Sequence, residues 1–108
     1  MASDRVEGTK IYDRDGSELG TIRKLMIDKK SGQVRNVIIG SGGLFGMGED
    51  HYPLPWKGLV YDTDKDGYVI NFDRSRLDPE KSPRFHRDQE PDWNEEYERQ
   101  VTLYYFPS

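Results

Sequence analysis

From Thr9 onward, short apolar runs alternate with turn chemistry, the pattern of antiparallel strands rather than of helices. Lys10-Ile11-Tyr12 gives way to Asp13-Arg14-Asp15-Gly16, where Gly16 supplies the positive φ of a tight turn and predicts a first hairpin. In the following segment, Leu19 to Asp28, the apolar residues Leu19, Ile22, Leu25 and Ile27 break strict alternation. The slip between Ile22 and Leu25 predicts a bulge and a curved strand. Asp28-Lys29-Lys30-Ser31-Gly32 reads as a turn closed by a left-handed glycine, and it leads into Gln33 to Ile39. The run Val37-Ile38-Ile39 places apolar side chains on both faces of that strand, as a closed barrel pressed against another surface would need, so one face is expected to meet a partner.

A Gly-rich connection, Ser41 to Asp50, precedes His51-Tyr52-Pro53-Leu54-Pro55-Trp56, whose two prolines confine it to an edge or extended segment. Leu59-Val60-Tyr61 and Tyr68 to Phe72 flank Asp62-Thr63-Asp64-Lys65-Asp66-Gly67, a last hairpin with Gly67 expected in the left-handed position. About six short strands predict a mainly β fold, a small barrel or sandwich. Beyond Phe72 the texture turns to Asp, Arg, Pro and Glu, so Asp78 to Asp92 is expected to run extended over the surface. Asp92-Trp93-Asn94-Glu95 has the spacing of a capping box and predicts a short helix over about 92–103. Trp93, Tyr97, Val101 and Tyr104 form its aromatic stripe, suited to docking on the barrel or on another subunit.

Composition sharpens this picture. The 108 residues suit a single domain, and Leu, Ile, Val and Phe number only 23. So small a core needs help from the 13 aromatic residues or from a partner surface, which makes a homodimer an early expectation. Eleven Gly, six Pro and one Ala favour turns over long helices. A net charge of −4 argues against nucleic acid as a partner. There is no cysteine for disulfides, thiolate chemistry or Cys-ligated metal. No apolar stretch reaches transmembrane length and Met1-Ala2-Ser3-Asp4-Arg5 has no signal region, so a soluble, cytoplasmic protein is expected.

The sharpest chemical motif is Asp62-x-Asp64-x-Asp66-Gly67 with Asp73 at the twelfth position, the oxygen-ligand spacing of a calcium loop. A helix-loop-helix site needs flanking helices, however, and here prolines precede the loop while Tyr68-Val69-Ile70 inside it reads as strand. A polar hairpin turn is the competing reading. The Gly-rich segment lacks the Lys-Ser/Thr of a phosphate loop. Its Leu44, Phe45 and Met47 instead suit packing at a barrel mouth or dimer interface. His51 and His86 show no zinc spacing, and no nucleophile motif surrounds Ser41, so no cofactor, metal or catalytic residue is assigned. Glu49, Asp50 and His51 read as a solvated acidic turn. Arg23, Lys24, Lys29, Lys30 and Arg35 cluster on one hairpin as a charged solvent face, with peripheral membrane contact as an alternative use.

The motifs also occur in a telling order: Ile11-Tyr12-Asp13-x-Asp15-Gly16-x-x-Leu19-Gly20-x-Ile22, Asp28-x-x-Ser31-Gly32-x-Val34-Arg35, Gly42-Gly43-x-Phe45-Gly46-Met47-Gly48, and Pro53-x-Pro55-Trp56. This resembles the PRC-barrel family, named for the cytoplasmic domain of the photosynthetic reaction-centre H subunit, over about residues 8 to 79. The resemblance implies a small, strongly bent PRC-type β-barrel with interaction roles, and no catalytic residues come with it. Only Met1 to Gly8 precedes the barrel, so the chain looks like the family's stand-alone bacterial type, with a barrel over 1–79 and a tail over 80–108. The expected function is a non-enzymatic interaction or assembly module, homodimeric or bound to another protein through Val37, Ile39, Leu44, Phe45, Met47 and Trp56. A calcium-responsive module using the Asp62–Asp73 loop is the alternative.

Overall fold

Three antiparallel pairings form the centre of the molecule: β1 (Lys10–Tyr12) on β2 (Glu18–Ile27), β2 on β3 (Val34–Gly40), and β3 on β4 (Asp50–Pro55). The computed structural model describes residues 6–40, 50–78, 80–86 and 88–107. β5 (Leu59–Asp62) and β6 (Gly67–Ile70) make a further hairpin, and β6 joins β1 in parallel. With β7 (Phe85–His86) beside β4, the sheet order is β5-β6-β1-β2-β3-β4-β7. The described residues thus hold seven strands where the sequence predicts about six. The additional one is β7, inside the segment expected to run extended over the surface.

The sheet curls strongly without closing, because β5 and β7 end it and do not pair with each other. Bulges produce the curl: the register of β2 on β3 shifts between Ile22 and Lys24, within the predicted slip, and again between Met26 and Ile27. Gly16 and Gly32 take positive φ in their turns as expected. Gly67 does not, and the left-handed residue of its hairpin is Asp66, at φ +50°. Gly67 answers to a different constraint, since a Cβ there would meet the Lys10 carbonyl oxygen at 2.7 Å and the Tyr12 ring at 2.9 Å. The parallel junction between β6 and β1 therefore leaves no room for a side chain at Gly67.

The concave face gathers Ile11, Ile22, Val37, Ile39, Leu54 and Ile70, all with essentially no exposure. Ile38 is equally enclosed on the opposite face, where it pairs with Pro53, so both faces of β3 are covered within the protomer itself rather than by a partner surface as expected. On that face the buried Asn36 satisfies its amide by donating to the Leu54 carbonyl at 3.3 Å. Val6, upstream of the first strand, also joins the core.

The tail ends in α1 (Glu95–Tyr105). Its cap is Asn94 rather than Asp92: the Asn94 side chain accepts from the Tyr97 N–H at 2.9 Å, and its carbonyl accepts from Glu98 N–H. Asn94 is as good a cap as Asp, and Glu95, Glu96 and Glu98 then fall in the first turn, where the helix dipole favours negative charge. Trp93 precedes the helix, its ring edge-on to Tyr97 at 5.0 Å and its indole donating to Glu98 at 2.9 Å. Val101 and Tyr105 are the buried pair, one turn apart, while Tyr97 and Tyr104 are half-buried.

This helix fills the gap left by the open sheet. It packs along β4 on one side, and at its end Tyr105 meets Phe72 at 4.6 Å between ring centres. Phe106 reaches the 3₁₀ turn Trp56–Gly58 that leads into β5, where Lys57 Nζ lies 4.9 Å above its ring. Burial holds the Tyr105 phenol far above its ordinary value, with Ser82 opposing the shift.

Two outcomes follow from this arrangement. Val101→Ala removes a wholly buried side chain and is expected to cost about 2 kcal/mol in urea unfolding, whereas Leu103→Ala, on the exposed face, stays within about 0.5 kcal/mol. The raised Tyr105 value means that the folded state keeps a proton the unfolded chain loses near pH ~10. Stability is therefore full below that pH and falls as pH rises above it. Denaturant melts across that range, compared with Tyr105→Phe, should show the decline flattened in the variant.

Candidate interaction surface

The residues singled out in the sequence separate on folding. Val37 and Ile39 lie in the core of the protomer, with 0% and 1% exposure, because the concave face of the sheet claims every second residue of β3. They shape the interior rather than the surface. Trp56 sits in the 3₁₀ turn before β5, half-buried against the core, its ring 5.4 Å from that of Tyr68. Leu44, Phe45 and Met47 fall outside the described residues.

Three of the four aspartates of the calcium-like motif, Asp62, Asp66 and Asp73, are engaged in local hydrogen bonds. The Asp62 carboxylate accepts from the Asp64 and Lys65 N–H groups at 2.9 and 3.3 Å, and Asp66 accepts from the Tyr61 hydroxyl at 2.6 Å. Asp73 is beyond β6, where it caps the 3₁₀ turn Arg74–Arg76 by accepting from Ser75 N–H. That backbone bond, followed by the Ser75 hydroxyl, holds the Asp73 carboxyl below its ordinary value. Among the described residues, no three acidic or histidine side chains gather as a metal-holding group. A helix-flanked loop would fold Asp62, Asp64, Asp66 and Asp73 round one point, but a hairpin extends the chain between the third and the fourth.

The histidines come to adjacent strands, since His51 pairs with Phe85 and Asp50 with His86. His51 is enclosed, edge-on to Phe85 at 5.7 Å, whereas His86 is exposed beside Asp88 at 3.7 Å. On the basic hairpin, Lys24 pairs with Glu90 at 3.2 Å, and Arg35 with Asp28 and Glu98 at 3.5 and 3.8 Å. The tail thus lays its own carboxylates on part of that positive face.

The surface that stands out is the β5 end of the sheet, which the sequence pattern did not flag. Val60 and Tyr61 are 54% and 41% exposed. With Arg14, Asp62, Thr63 and the half-buried Val69 they line an open cleft of about 390 Å³. Arg14 is held over it by donating to the Asn71 carbonyl at 2.8 Å. The Tyr61 phenol is raised above its usual value by its hydrogen bond to Asp66 and then by burial.

The backbone at this edge is equally defined. Asn71 N–H donates to the Gly58 carbonyl at 2.9 Å, and an antiparallel ladder alternates its bonds residue by residue. Val60 and Asp62 therefore also turn their backbone groups towards β6, and Leu59 and Tyr61 turn theirs outward. The Leu59 N–H is taken by the Trp56 carbonyl. The Leu59 carbonyl and both Tyr61 groups face the open side.

At the opposite end, the two-residue β7 covers only Asp50 and His51 of β4, and it is the remainder of β4 that is guarded. Beyond Asp50 and His51, β4 has no strand neighbour on its outer side among the described residues, but Pro53 and Pro55 carry no N–H and α1 packs against it. β5 has neither proline nor Lys nor Arg within it. The signal legible in the sequence was this contrast: Leu59-Val60-Tyr61 is an apolar strand with no such guard.

Because Asp62, Asp66 and Asp73 are engaged locally and no three acidic side chains gather among the described residues, the melting temperature in millimolar calcium should equal that in excess chelator. A rise with calcium would contradict the geometry described above.

No curated protein matches the chain. The family model for the PRC-barrel domain matches residues 1–77, starting a little earlier than the motif resemblance and ending close to it. The bulged β2, the turns at Gly16 and Gly32, and strands β1 to β6 of the curled, open sheet lie within that match, and β7 lies beyond it. The chain is a member of the PRC-barrel domain family.

Proposed function

We propose that this chain is a non-enzymatic protein-interaction and assembly module that works in the cytoplasm as a homodimer. The observation that carries the reading is the contrast between the two ends of the sheet. One is guarded by prolines and a helix, and the other offers an apolar strand with outward-facing backbone groups. Membership of the PRC-barrel family supports an interaction role. The small aliphatic inventory supports it as well, because exposed Val60 and Tyr61 set two large side chains aside from a core that is short of them.

The non-catalytic part of the reading is supported by how the ionisable groups are used. Asp13, Asp28, Asp62, Asp73 and Asp78 each accept backbone N–H groups of their own turns. These carboxylates hold the chain's corners, and the described clefts are open to solvent rather than deep.

Light scattering coupled to size exclusion tests the proposal over a wide concentration range. The expected outcome is a mass that rises from one towards two chains as concentration increases. A single-chain mass up to hundreds of micromolar would refute the homodimer.

A further inference from the structure

We infer that the second copy docks by strand addition: β5 of each protomer pairs antiparallel with β5 of the other, with Val60 on the two-fold axis. This rests on the homodimer reading and specifies its surface and register. The occupant is argued from self-complementarity. A two-fold axis perpendicular to a sheet passes through a residue paired with its own copy, so the candidate registers place either Val60 or Tyr61 there.

With Val60 on the axis, Leu59 faces Tyr61 of the second copy and Gly58 faces its Asp62. Leu59 against Tyr61 stays within the strand, Gly58 is the last residue of the 3₁₀ turn before it, and none of these pairings opposes like charges. Leu59 and Tyr61 are also the residues whose backbone groups point outward, so each Tyr61 N–H meets a Leu59 carbonyl across the interface. With Tyr61 on the axis, each Val60 opposes an aspartate, Leu59 faces the polar Thr63, and Lys57 faces Lys65. The chain's own sequence therefore selects the Val60 register.

The contact is short and lies well below the area of standard stable interfaces, so the dimer is weak and concentration-dependent. One side of the strand is already exposed, and the addition requires no rearrangement of the core. Pairing would extend the curled sheet from one copy directly into the other.

The test uses the full chain with charge pairs at the axis. Val60→Glu and Val60→Lys, each alone, place like charges opposite one another and are expected to weaken association at least about fivefold; mixing the two restores it. Val60 is more than half exposed, so both variants should fold, and an unchanged melting temperature at low concentration checks this. A second readout needs no variant: the wild-type Tyr61 amide should gain hydrogen-exchange protection as concentration rises.

If Val60→Lys alone tightens the dimer, the introduced ammonium is meeting Asp62 of the second copy and the Val60 register is overturned. If the wild type dimerises but neither variant weakens it and the Tyr61 amide stays unprotected, strand addition is overturned while the homodimer reading survives. A wild type that stays monomeric throughout sinks both.

Discussion

Burial of Val101 and Tyr105 under an incompletely closed sheet is the contact on which the rest of this molecule depends. Bulges in β2 curl the sheet until its concave face holds the core, yet the two ends do not meet and the apolar interior would otherwise open to water. The helix supplies what the strands cannot. Tyr105 on Phe72 and Phe106 against Gly58 link the β4 side of the opening to the approach to β5. The family match stops at residue 77, but the core does not, because the wholly enclosed Val101 and the buried Tyr105 come from beyond that point. In a chain so poor in aliphatic residues, two buried groups weigh heavily against the entropy of ordering the backbone.

An open sheet has two ends, and this one treats them differently. Along β4 the guards are intrinsic: prolines at alternate positions remove donors from one side of the strand, and α1 lies along it. Phe106, at the end of the same helix, reaches the approach to β5 at Lys57 and Gly58, while Val60 and Tyr61 stay exposed. The plug that completes the core therefore also decides which edge stays available. Interior packing and surface function are set by the same element.

Much of the fold could be read from residue order, because its determinants are local. The slip between Ile22 and Leu25, the glycine turns and the doubly covered Val37-Ile38-Ile39 depend on neighbours a few positions apart. What escaped depended on distant pairings. Val37 and Ile39 look like sticky surface as letters and become interior only once β2, β4 and α1 are placed around them. β7 is two residues long and exists because β4 offers it a partner. Gly67 suits a left-handed turn equally well on paper, and its true constraint, the Lys10 carbonyl, is more than fifty residues away. The edge at β5 escaped for the same reason: the unguarded Leu59-Val60-Tyr61 can be read from the letters, but that this strand is last in the sheet is a property of topology that no single segment carries.

The acidic hairpin that imitates a metal loop has a structural consequence of its own at that edge. The Asp62 carboxylate fixes the turn by accepting two of its amides, and Asp66 holds the Tyr61 hydroxyl while the ring lies 5.3 Å from that of Tyr68. At the other end of β5, the Leu59 N–H is tied to the Trp56 carbonyl. A four-residue edge strand would ordinarily fray, and an incoming strand would then have to order it on arrival. Held at both ends and paired to β6 along its length, this strand has already met that ordering cost during folding. A short contact can then be specific without being tight, because its geometry is fixed before the partner arrives.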